Sequence, residues 1–305
     1  MTLLDGKVVI VTGAGRGIGR GEALECARQG AAVVVSELDA DAGAAVVDEI
    51  RALGGSVVHD GGDVADVSAA DALVRRAVDE FGALDALVNN AGILRDRTLV
   101  KMTPEEWDAV IRVHLRGHYA PTHAACGYWR ESGRPGHVVC TASTSGLLGN
   151  FGQSNYGAAK AGIAAFATIV AQEMTRYGVT CNAIAPAART RMTEGAYGTI
   201  GGGSDADDDA DGGEFDFWHP DNVAPLVAYL CSDASSHISG KVFGVQGDTV
   251  EAYRPFQSAA VIENGGARWD PEQLAGRVDG LLDEAGLVPG PENMMAKLRY
   301  SMTQR

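Results

Sequence analysis

A short apolar strand running straight into a cluster of glycines constrains this chain more than any other feature. Lys7–Thr12 (KVVIVT) is rich in β-branched residues and leads into Thr12-Gly13-Ala14-Gly15-Arg16-Gly17-Ile18-Gly19. Such a run reads as a strand buried on both faces, as in a parallel sheet. Gly13, Gly17 and Gly19 let the backbone turn sharply and approach a pyrophosphate, with Arg16 and Ile18 beside it. The helix that follows offers free N–H groups and a partial positive charge. The spacing is T-G-x-x-x-G-x-G, so its place between a strand and a helix gives it meaning.

The pattern then alternates. Helices are predicted over 18–30, near 41–53, near 67–81, from 104, from about 153 and over 221–232. Strands are predicted over 32–37, near 56–59, and over 84–89, 137–141, 179–185 and 241–246. Strands alternating with helices specify an α/β fold, a Rossmann-like doubly wound parallel sheet of about seven strands with helices on both faces. Residues 1–247 form that domain. Two regions break the pattern. Residues 193–217 are rich in Gly and Asp and read as a surface loop over the substrate. Residues 248–305 read as a C-terminal extension, with a helix over Pro271 to Ala285.

Composition narrows the function. A net charge of -15 disfavours nucleic acid as a partner, because phosphate binding needs a basic surface. The apolar runs are too short to span a bilayer. Five scattered cysteines, without metal-binding spacing or a signal peptide, point to a reducing cytoplasm. The final Met302-Thr303-Gln304-Arg305 is not a peroxisomal address.

Several residues fall at the carboxyl edge of the sheet, where ligands of such folds bind. Glu37 ends the second strand. Its carboxylate can accept from both hydroxyls of an adenosine ribose and would repel a 2′-phosphate, which favours NAD over NADP. The Arg16 guanidinium pulls toward NADP. Asp63 and Val64 follow the third strand, and Asp63 is placed to hold an adenine amino group. Asn89-Asn90-Ala91-Gly92 follow the fourth.

Tyr156 and Lys160 stand at i and i+4 of one helix and so share a face. A phenol is a poor base at neutral pH, but a neighbouring ammonium stabilises the phenolate. Such a pair can move a proton on and off an alcohol while a cofactor carries the hydride. Ser143, just past the fifth strand, can hydrogen-bond the same substrate oxygen. His114 falls on the apolar face of the helix opened by Thr103-Pro104-Glu105-Glu106, a capping box with proline at the first position. It is either a structural histidine or part of the site, where its imidazole could donate, accept and titrate near neutral pH.

Together TGAGRGIG, NNAG, Ser143 and Tyr156-x-x-x-Lys160 resemble the short-chain dehydrogenase/reductase family over roughly the first 190 residues. GILRDRTLVKMTPEEWDAVIRVHLRGHY, GLLGNFGQSNYGAAKAG, NAIAPAARTRMT and DNVAPLVAYLCS are similar to one branch of it. That branch is the (3R)-hydroxyacyl-CoA dehydrogenase unit of the peroxisomal multifunctional β-oxidation enzyme, with its bacterial single-domain relatives. The resemblance implies NAD-dependent oxidation of a secondary alcohol, most closely a (3R)-hydroxyacyl-CoA, including one with a steroid acyl group. Tyr156 is then the general base, Lys160 also holds the nicotinamide ribose, and Pro186 and Thr190 flank the nicotinamide. His114 takes the place of the usual Asn, which holds a water linking Lys160 to solvent. The usual Pro-Gly after the sixth strand is Pro186-Ala187 here. The resemblance also implies a homodimer or homotetramer built on the helix GAAKAGIAAFA. Rival readings are a free hydroxysteroid (17β-type) dehydrogenase and a non-catalytic NAD(P)-sensing protein. The intact Ser143, Tyr156 and Lys160 argue against the second.

Arg95, Arg97, Lys101, Arg189 and Arg191 either receive coenzyme A phosphates or are ordinary surface cations. Asp207-x-Asp209-x-Asp211-Gly212 resembles the start of a calcium loop, but the closing Glu position is Trp218, so no metal is expected.

Overall fold

The computed structural model describes residues 2–190, 215–254 and 256–292. Arg191, the Asp207–Asp211 motif and most of the Gly/Asp-rich loop lie outside the described residues. The chain divides into two units, Met1–Tyr253 and Arg254–Arg305.

The first unit is one sheet of order β3-β2-β1-β4-β5-β6-β7-β8. Its strands are β1 (Val8–Thr12), β2 (Ala32–Ser36), β3 (Val57–Asp60), β4 (Ala86–Asn89), β5 (Gly136–Thr141), β6 (Val179–Pro186), β7 (Val242–Gln246) and β8 (Thr249–Tyr253). The seven parallel strands are joined by β8, which pairs antiparallel with β7. That strand lies among residues expected to begin the extension; the tight turn at Gly247 folds it back onto the sheet.

Alternation along β1 separates two cores. Val9 and Val11 face one side, with Ala23, Leu24 and Ala27 of α1 (Gly17–Arg28), Val46, Val47 and Ile50 of α2 (Ala40–Ala52), and Val227 of the later helix Ala224–Leu230. Val8 and Ile10 face the other, with Leu73 and Val74 of α3 (Val67–Phe81), Trp129 and, further along the chain, Ile163 and Ala167. Strand order reverses at β1, where β2 lies on one side and β4 on the other, so their following loops part to open a crevice at the carboxyl edge.

The helix after β4 is compound. α4 (Pro104–Ile111) begins with the capping box: Thr103 Oγ1 accepts from Glu106 N–H at 3.2 Å, and the Glu106 carboxylate accepts from Thr103 N–H at 3.1 Å. A π turn over Arg112–Arg116 leads into α5 (Gly117–Ser132). Beyond β5, α6 (Thr144–Leu148) packs on α7 (Ser154–Met174). They meet where a Cβ on Gly146 would stand 2.4 Å from the Ala161 nitrogen. Ala224–Leu230 is α8. Among the described residues no helix is long and apolar enough to cross a membrane.

The second unit contains α9 (Pro271–Glu284), capped by the Asp270 carboxylate, which accepts from the N–H groups of Glu272 and Gln273. None of its residues is buried.

Candidate active site

Two turns meet at the crevice. Thr12 Oγ1 accepts from the backbone N–H of Asn90 at 2.9 Å and of Ala91 at 3.2 Å. Asn90 Nδ2 donates to the carbonyls of Thr12 and Gly13, at 3.0 and 3.1 Å. Asn90, expected to touch a cofactor, spends its side chain fastening the two turns together. Gly13 has φ +62°, and a Cβ there would stand 2.7 Å from Ala91 Cα. Gly19 is equally crowded by the Gly13 carbonyl, at 2.3 Å. Gly17, also at positive φ, faces the Thr190 side chain, which brings Thr190 against the loop. Ile18 packs on the core, and Pro186 is the last residue of β6.

These residues fit a dinucleotide. α1 opens at Arg16 with no side-chain cap, so its first N–H groups face the crevice as anion donors. The Glu37 carboxylate, just past β2, accepts from Gly15 N–H and from Asp39 N–H, each at 3.0 Å. A carboxylate offers about four acceptor positions, so capacity remains for ribose hydroxyls. Arg16 pairs with Asp39 at 2.5 Å, and that hydrogen bond holds the Asp39 carboxyl below its usual value. Asp63 pairs with Arg112 at 2.6 Å and accepts from Ala65 N–H at 2.9 Å. Burial pushes Asp63 upward, and these partners outweigh it to bring the carboxyl below its usual range. Val64 is buried beside Gly117.

A second cluster stands over the end of β5. Lys160 is 2% exposed; its Nζ donates to the Thr141 carbonyl at 2.5 Å and lies 5.5 Å from the centre of the Tyr156 ring. Burial brings Lys160 down to about 7, against the opposing pull of Cys140 and Glu22. The His114 ring meets Tyr156 edge-on, 5.1 Å between centres at 87°. Its Nε2 lies 2.7 Å from the Ile93 carbonyl and 3.0 Å from the Ile93 N–H, while the buried Nδ1 has no protein partner. Gly92 is required beneath it, because a Cβ would stand 2.4 Å from His114 Cε1. The expectation that His114 titrates near neutral pH fails. Burial, reinforced by Lys160, lowers it to about 3, so the ring is neutral. Ser143 caps α6, its Oγ accepting from Ser145 N–H at 3.1 Å, and is largely buried.

Sequence reasoning missed three members of this neighbourhood. His118, one turn past His114, is buried with Nε2 3.2 Å from Thr141 N–H. Thr141 itself supplies the carbonyl for Lys160. Glu22 of α1 is wholly buried; burial pushes it up to about 8, with Lys160 opposing. The i, i+4 spacing of His114 and His118 was the available signal for the first. Of the cations, Arg97 pairs with Glu106 and Arg189 with Asp216, while Arg95 and Lys101 are exposed. Among the described residues no group of three or more His, Cys, Asp or Glu could hold a metal ion.

A family model described as short chain dehydrogenase matches residues 7–198. The hydroxyacyl-CoA dehydrogenase ChsB1 of Mycobacterium tuberculosis is 44% identical over 285 residues, covering 90% of this chain and 87% of that protein. The peroxisomal multifunctional enzyme type 2 of Drosophila melanogaster is 43% identical over 239 residues, 75% of this chain but 37% of that longer enzyme. A crystal structure of a short chain dehydrogenase from Mycobacterium avium matches with a TM-score of 0.82 at 44% identity, covering 95% of this chain and 98% of that one.

Burial also sets a pH dependence. His114, His118 and His137 all lie below the ordinary 6.5, chiefly through desolvation. The unfolded chain therefore binds protons that the folded chain does not. Their contribution to stability is present above about pH 6.5 and is lost as pH falls. Glu22, raised from 4.5 to about 8, works in the opposite sense: its contribution is complete below 4.5 and fades as pH rises toward 8. Three histidines against one carboxyl leave stability rising with pH between 4.5 and 6.5. The urea midpoint should fall between about pH 6.5 and about pH 5, and fall less in His114→Asn. Equal falls in both proteins would show that His114 is not a buried neutral imidazole.

Proposed function

Because the chain belongs to the short-chain dehydrogenase family, an oxidoreductase family that uses a nicotinamide cofactor, we propose that it oxidises a secondary alcohol to a ketone with NAD. The observation that carries the reading is the Tyr156 ring set beside the buried Lys160 ammonium, at the edge where the glycine loop lies. The bound nicotinamide would accept the hydride. The protein's own residues handle the proton. Tyr156 Oη takes it from the substrate hydroxyl. The Lys160 ammonium favours the phenolate over the phenol. With its own proton labile near neutral pH, Lys160 can also pass one onward. Ser143 orients the substrate oxygen. His114, neutral and with a free Nδ1 beside Tyr156, serves the relay from Lys160 toward solvent.

NAD is favoured because a 2′-phosphate at the end of β2 would meet the carboxylates of Glu37 and Asp39, with Arg16 already paired to Asp39. The name of the hydroxyacyl-CoA dehydrogenase relative supports a hydroxyacyl-CoA as substrate; the (3R) configuration and the inclusion of steroid-bearing acyl groups are our reading from the motif resemblance. Arg95 and Lys101 are exposed, and we assign them to coenzyme A phosphates. A second copy packed on α5 and α7 would cover exposed Tyr119 and Ile169, and the free thiols suit the cytoplasm.

Tyr156→Phe should lower kcat by on the order of 10² to 10⁴ while NAD binding is retained. Activity within tenfold of wild type would remove Tyr156 as the base. In the same assay His114→Asn should keep most activity and His114→Leu should lose kcat without unfolding. Normal turnover of the Leu variant would make His114 structural.

Wild type should prefer NAD, and Glu37→Ala should narrow or reverse that preference in kcat/KM. A wild type that prefers NADP would refute the role given to Glu37.

A panel of hydroxyacyl-CoA thioesters and free steroid alcohols tests the substrate class. Thioesters should give the higher kcat/KM; the reverse order would establish the hydroxysteroid reading.

A further inference from the structure

β4 stops at Asn89, whose register partner on β5 is Cys140. The chain then turns away, and the next backbone N–H groups, those of Asn90 and Ala91, go to Thr12 Oγ1. On the other side, Ala142 N–H bonds to Ile184 of β6. Alternation along the strand therefore points the N–H and C=O of Thr141 toward β4. No further rung of β4 is there to take the carbonyl, and it accepts instead from Lys160 Nζ at 2.5 Å. The N–H of the same residue reaches His118 Nε2 at 3.2 Å. One peptide-bearing residue thus stands between a buried imidazole and a buried ammonium.

His118 is 1% exposed on α5, directly after the π turn. Accepting at Nε2 places its proton on Nδ1. A polar ring buried this deeply is retained only where its hydrogen bonds are made.

We propose that His118 is a positioning residue for the reaction: by gripping Thr141 N–H it fixes the Thr141 carbonyl that holds Lys160 Nζ beside Tyr156. The inference rests on the assignment of Tyr156 and Lys160 under the proposed function. The groups facing Lys160 are Cys140 from β5, Glu22 from α1, His114 from the π turn, His118 from α5 and Tyr156 from its own helix. Desolvation holds His118 well below its usual value, which agrees with its Nε2 accepting from the Thr141 N–H.

The test is the pH profile of kcat for NAD with a (3R)-hydroxyacyl-CoA in His118→Gln, His118→Asn and His118→Leu. The Gln carboxamide can place an acceptor where Nε2 stands; Asn falls short and Leu has none. Leu and Asn should move the base limb to higher pH by about one unit, costing about tenfold in kcat on its acid side, while Gln stays within about threefold of wild type. If Leu fails to fold, the contrast between Gln and Asn decides. Identical profiles in all variants, or a loss of kcat that tracks a lower unfolding midpoint with the limb unmoved, would overturn the proposal. Tyr156→Phe is run alongside. If it retains activity, the assignment of the site has failed; if it is inactive while the His118 profiles do not move, only this inference has.

Discussion

The hydroxyl of Thr12 is the interaction on which the carboxyl edge depends. It sits at the last residue of β1 and accepts two backbone N–H groups from the turn after β4. Those two strands are neighbours whose loops must separate to make a crevice, yet the loops must also stay in register. A single buried oxygen does both. It diverts the N–H groups that would have continued the sheet, and it binds the turn to the glycine loop. The consequences spread from there. Gly13 and Gly19 have to be glycine because the turn lies so close. Gly92 has to be glycine because His114 presses on it. The Thr141 carbonyl, left without a strand neighbour, becomes the seat of Lys160.

A buried ammonium is expensive to desolvate, and the surroundings of Lys160 show how the cost is contained. It has one short bond to a backbone carbonyl, and Glu22 lies within electrostatic reach across the sheet. Both groups move toward neutrality, Lys160 to about 7 and Glu22 to about 8. The two imidazoles nearby are neutral as well. The pocket therefore carries little fixed charge, and of its two groups brought near neutrality, Lys160 and Glu22, the first lies next to the phenol. That is the electrostatic condition a proton-handling site requires.

Much of this was legible in the sequence because it is local. The glycine loop, the strand at Lys7–Thr12, the capping box at Thr103 and the Tyr156/Lys160 spacing each lie within a few residues of chain. What escaped was made by contacts between distant segments. Asp63 looked like a free adenine ligand and is paired with Arg112, 49 residues away. The role of Asn90 in holding the Gly13 loop spans 77 residues. The lowered pKa of His114 is not visible in the sequence because its depth of burial, under Gly92 and beside Lys160, is a property of packing rather than of composition. β8 falls in the predicted extension because TVEAY shows little apolar alternation, and in the fold Thr249–Tyr253 is largely exposed. The π turn left no trace in the amphipathic pattern at all.

That π turn, Arg112–Arg116, holds one residue more than an α-helical turn would. Each residue advances a helix by about 100°, so the extra one sets the phase of everything after it. His114, within that turn, and His118, just after it, are both buried. The capping box at Thr103 and the glycine loop both lie outside this turn. α5 presents His118 to Thr141. The segment is thus a point where a single deletion would change which side chain meets the peptide that holds Lys160, a change that whole-chain similarity would scarcely register.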